Sequence, residues 1–127
     1  MIGMGRNEDI KIVLEDLLNM EDVQACLLTG RQTGTITPGS GTKLKNLVLW
    51  KLIMDSSHKF FPVIEDFYAY GLKSLYFELG DYEVIMAFVD KFTALIVVIP
   101  SLVNRGLVEV EIENSKNTIK GILGRQE

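Results

Sequence analysis

Cysteine is nearly missing from this chain: Cys26 is the only one among 127 residues. A disulfide framework and a thiolate metal cluster are therefore excluded, and a reducing compartment is the natural setting. Histidine is just as scarce. His58 has no second histidine with which to share a metal, and no serine or cysteine in a strained turn motif stands near it. An excess of basic charge is also missing, since 13 Lys and Arg face 17 Asp and Glu for a net charge of −4. No basic stripe with interleaved aromatics exists, which argues against a nucleic-acid partner. Long hydrophobic runs are missing too. The 94–100 run is far shorter than the ~20 apolar residues that a membrane span takes, and Arg6, Glu8 and Asp9 stand where a signal peptide would have its apolar core. The expectation is a cytoplasmic protein with no membrane insertion.

What is present is an ordinary globular balance, 47% hydrophobic and 24% charged. The length suits one domain over 1–127, able to bury roughly two thirds of its unfolded surface.

The hydrophobic pattern orders the chain. Ile10, Val13, Leu14, Leu17 and Leu18 recur at three- and four-residue steps behind Asn7, which predicts a first helix over 8–19 capped by that asparagine. Two strands follow, 23–29 and 35–37, joined by a glycine-marked turn and stopped by Pro38-Gly39. A second helix over 43–59 has almost no continuous polar face. Leu49 and Ile53 fall together on it, Leu47, Trp50 and Met54 form another stripe, and Leu44, Val48 and Leu52 fill most of the remaining arc. Pro62 breaks that helix or starts a short one through 63–70, ended by Gly71.

Turn dipeptides Gly80-Asp81 and Asp90-Lys91 then divide 72–79, 82–89 and 92–99 into a three-stranded meander. Both alternating residue sets of its last two strands are apolar, so the sheet has to be the middle of three layers. The alternation at 108–113 imitates a strand. Its continuation through Ser115, Ile119 and Ile122 at helical steps predicts one long last helix over 106–123 instead. Placing the most apolar strands, 23–29 and 92–99, at the centre predicts an α/β (α+β) sandwich. It has a five-stranded antiparallel sheet of order 2-1-5-4-3, the first and last helices on one face and the second on the other.

Three stretches resemble the roadblock / dynein light chain family: 94–108, a buried strand passing through Asn104 and Gly106 into the last helix; 14–23, a helix running straight into strand one; and the hairpin 29–35. The resemblance spans nearly the whole chain. It implies small dimeric proteins that bind and regulate Ras-like GTPases or serve as scaffold subunits, as in dynein and lysosomal signalling complexes. The 60–70 segment departs from the family pattern, being longer and more aromatic.

Sites with chemistry are few. Gly39-Ser-Gly-Thr-Lys43 lacks the spacing of a phosphate-cradling loop and reads as a connection with Thr42 as helix cap. His58 reads as a partly exposed helix end and Cys26 as a small buried hydrophobe. Adjacent acids such as Glu15-Asp16 and Glu65-Asp66 diverge by about a hundred degrees on a helix and cannot work as a pair. Glu109, Glu113, Lys116 and Lys120 read as surface pairing. No catalytic, cofactor or metal residue is assigned, and the chain is read as no enzyme.

The functional content lies in the apolar girth of the second helix, shared between the sheet and a neighbour. Strand 72–79 is an edge without proline that invites pairing. A homodimer is expected to bury Leu47, Trp50, Met54, Leu75 and Phe77 across a two-fold axis. The partner surface is expected at Trp50 with Lys45 and Lys51, within a basic rim that includes Lys43 and Lys59. The partner would be a small Ras-like GTPase or another roadblock-like subunit. The competing class is a profilin-like or sensory small-molecule domain, for which Tyr68, Tyr76 and Tyr82 are the possible donors.

Overall fold

The structure, a computed structural model, describes residues 5–125; the ends of the expected 1–127 domain, 1–4 and 126–127, lie outside the described residues. The elements run α1 (Arg6–Leu18), β1 (Ala25–Gly30), β2 (Gly34–Ile36), α2 (Leu47–Ser57), α3 (Phe61–Tyr68), β3 (Ser74–Leu79), β4 (Tyr82–Asp90), β5 (Thr93–Pro100) and α4 (Arg105–Leu123), with a 3-10 turn at His58–Phe60. The strands form one antiparallel sheet in the expected order β2-β1-β5-β4-β3.

Two-residue periodicity divides the sheet into two buried faces. Leu28, Ile85 and Val97 look toward Leu14 of α1 and Ile112 of α4. Leu27, Met86 and Ile96, which align across β1, β5 and β4, look toward Trp50 of α2 and Phe61 and Ile64 of α3. The first and last helices thus share one face and the second takes the other, as the doubly apolar strands require. Gly30 is needed because a Cβ there would meet the Phe92 carbonyl oxygen at 2.9 Å. Gly80, at φ +61°, supplies the left-handed turn between β3 and β4.

The 108–113 stretch is helical. Val108, Ile112, Ile119 and Ile122 bury a single stripe of α4, and the Asn104 side chain caps the helix by accepting the Gly106 N–H at 3.0 Å. Arg105 fixes the same end to the sheet. Its Nη1 lies 3.1 Å from Oε1 of the buried Glu83 on β4, and its guanidinium stacks 4.5 Å from the Tyr76 ring centroid.

Three local expectations are corrected. Asn7 lies inside α1, whose N-cap is Gly5 with no side-chain cap. The second helix begins at Leu47, not Lys43, because Asn46 accepts the Leu49 N–H and caps it. Thr42 is therefore no helix cap: its hydroxyl accepts the Leu44 N–H and donates to the Gln24 carbonyl. Pro62 starts a helix, sitting in the first turn of α3, where its missing N–H leaves no hydrogen bond unmade.

Candidate interaction surface

At about 100° per residue, α2 divides into unlike faces. Trp50, Ile53 and Ser57 point into the sheet and are buried. Leu49, Leu52 and Ser56 form the flank turned toward β3, whereas Leu47 and Met54 lie on the opposite flank. Val48 points away from the core and is 81% exposed.

Between the first flank and β3 the chain leaves an apolar groove of about 260 Å³, walled by Leu49 and Leu52 on α2 and by Phe77 and Leu79 on β3, over a floor of Met86 and Ile96. Phe60 lines it too, and its ring lies 5.1 Å from that of Phe77. Ser56 and Ser57 are its only hydroxyls, and Ser57 already donates to the Ile53 carbonyl. The groove presents apolar surface with almost no polar recognition. Among the described residues β3 beside it is paired only with β4, which leaves its outer edge open to another strand.

The residues expected at the seam are thus differently placed. Phe77 lines the groove, and Leu75 is half-buried on the same face of β3. Leu47 is 64% exposed but belongs to the other flank, with the half-buried Met54. Trp50 is corrected outright as an anchor. It is 6% exposed within the single chain, because its large ring fills the space under α2. Leu49, Leu52 and Leu79, which line the groove, were not singled out from the sequence, since which flank of a mostly apolar helix borders β3 is set by its rotation on the sheet.

Of the basic rim, Lys45, Lys51 and Lys59 are exposed, and Lys51 pairs with Asp55 at 3.3 Å. Lys43 is occupied otherwise, donating to the Met20 carbonyl at 2.8 Å. Ser40 gives both its N–H and its hydroxyl to the Glu15 carboxylate. The 39–43 loop is in this way bound to α1 with one of its amides already engaged by an acid. His58 is exposed at the end of α2. Cys26 donates its thiol to the Leu14 carbonyl, and burial, with Glu15 nearby, pushes its pKa up to about 12. The three tyrosines do not converge, since Tyr76 lies over α4's side of the sheet while Tyr68 and Tyr82 pack on the other. No helix among the described residues is long and apolar enough to cross a membrane.

No family profile and no curated protein sequence matches the chain. Solved structures do. The roadblock/LC7 domain from Streptomyces avermitilis superposes at a TM-score of 0.68 over 91% of this chain and 98% of that one, at 10% identity. MglB of Myxococcus xanthus reaches a TM-score of 0.72 over 97% and 93% of the two chains at 14% identity. The chain has a roadblock fold. A further structure with this roadblock topology, described as MglB with tetrameric arrangement, superposes at 0.64 over 96% of this chain and 93% of that one, at 15% identity. At these identities the likeness is one of fold.

Proposed function

We propose that this roadblock-fold chain is a non-catalytic protein-binding module that pairs with a second copy of itself along β3 and the α2 groove. The paired surface then binds a small Ras-like GTPase or another roadblock-like subunit. The carrying observation is the apolar groove beside an unpaired strand edge, bordered by Leu52 at 60% and Leu79 at 39% exposure. Both features are costly in water and both are covered if two β3 strands pair. The tetrameric arrangement named for one MglB structure supports self-association in this fold.

The GTPase class follows from the family resemblance. The location follows from α2, where the exposed Val48 and Leu47 stand beside Lys45 and Lys51, an apolar centre with a cationic rim. Val48 takes the anchoring role that the buried Trp50 leaves vacant.

Sedimentation of the wild type at micromolar concentration tests the pairing, and a monomer would end it. Affinity capture of co-encoded small GTPases loaded with GTP or GDP analogues tests the partner. Lys45→Glu with Lys51→Glu is expected to reduce capture while leaving the dimer intact. Unaltered capture would remove the GTPase from this surface.

A further inference from the structure

A second concavity lies away from the groove, where β3 begins. The 68–73 segment leaves α3 and faces the C-terminal half of α4 across the end of β4, and the two enclose a cleft of about 500 Å³. Leu72, Phe88 and Val89 give it an apolar floor. Its walls are cationic: Lys73 stands on one side, with Lys116 and Lys120 on the other.

The charges are not balanced locally. Glu113, Lys116 and Lys120 recur at three- and four-residue steps and so share the flank of α4 that lines the cleft. Lys116 is drawn in, its side chain only 16% exposed, and its ammonium meets Glu113 at 3.1 Å. Lys73 and Lys120 are exposed and have no ion-pair partner among the described residues. Three lysines and one glutamate thus line the cleft, an excess of two positive charges in a chain whose net charge is −4. A concave, partly apolar wall concentrates such a field on whatever enters.

An occupant anionic at one end and apolar at the other matches this lining, and the volume lies within the roughly 300–1,000 Å³ of small-molecule sites. We propose that this cleft binds a small organic phosphate. Its head is held by Lys73, Lys116 and Lys120, and its body lies against Tyr68 and Leu72 above Phe88. Glu113 shields Lys116 in the empty cleft and is displaced by the phosphate. Because Lys73 follows the helical layer on one face of the sheet and Lys116 belongs to the other, the ligand ties the two layers together.

The test is titration with AMP, GMP and phenyl phosphate, with adenosine as the body lacking its charge, followed by amide NMR and thermal melting. The phosphate esters are expected to raise the melting temperature, to shift amides in 68–73 and 113–120, and to bind less tightly as salt rises. Adenosine is expected to do none of these. Replacing both exposed lysines (Lys73→Gln with Lys120→Gln) leaves the core untouched and should weaken binding roughly tenfold or more. Glu113→Gln should tighten it, which a merely structural carboxylate would not do. Silence from every ester at millimolar concentration overturns the proposal, as does binding indifferent to the lysine pair. Capture by vesicles bearing phosphoinositide headgroups without any response to soluble esters also overturns it, in favour of a membrane surface.

Discussion

Leu52→Ala is the sharpest probe of the groove, because in a symmetric pair each substitution acts twice. Leu52 keeps 60% of its surface in water in the single chain. Covering that fraction of a leucine contributes about 1–2 kcal/mol, and two copies double it to about 2–4 kcal/mol. Every 1.4 kcal/mol or so is tenfold in affinity, so the dissociation constant should rise by roughly two orders of magnitude. The monomer should hardly notice. An exposed helical leucine exchanged for alanine, the better helix former, should change stability by no more than about 0.5 kcal/mol. Sedimentation across a concentration series gives the first quantity, and urea unfolding at a concentration where the chain is monomeric gives the second. Leu47→Ala, on the opposite flank, is the control and should have a much smaller effect on the dimer. If Leu52→Ala leaves the dissociation constant within a few fold while Leu47→Ala raises it, the seam lies on the other side of α2 and the reasoning from the groove is wrong.

Arg105→Met strands the buried Glu83 carboxylate. Breaking a fully buried pair costs about 3–5 kcal/mol, but the Arg105 side chain is 41% exposed, so a loss of about 2 kcal/mol is expected. Adding Glu83→Gln should restore part of it in a double-mutant cycle followed by urea unfolding, and strict additivity would deny the coupling. For Cys26 the folded thiol holds its proton until about pH 12, whereas the unfolded chain releases it near 9.0. The folded pKa is the raised one, so this contribution is complete below pH 9 and is lost as pH climbs from 9 toward 12. Iodoacetamide at pH 8 should label the native protein only as fast as it unfolds, and rapid labelling under native conditions would contradict the burial.

Much of the fold is legible in the sequence because its signals are local and repeated. The doubly apolar 82–89 and 92–99 strands dictate a covered sheet whatever surrounds them, since neither set of side chains tolerates water. The long last helix is legible because its stripe continues through Ile122, beyond the reach of any strand reading. The ends of elements are less so. Asn7 and Asn46 are both good caps by type, but only Asn46 meets an amide, Leu49's, at the right distance, and that depends on where the preceding loop is tied down. The candidate interaction surface was half legible. An all-apolar helix announces that more than one neighbour is needed, and an edge strand without proline announces where pairing is open. Which residues fill those roles required the tertiary structure. Periodicity says little about the rotation of a helix that is apolar around most of its girth, and the large Trp50 ring packs inward. Trp50 went under α2, and Leu49 and Leu52 came to the groove. The lysine cleft was beyond sequence altogether. Lys73 is more than forty residues from Lys116, and only the turn out of α3 brings them to opposite walls of one cavity.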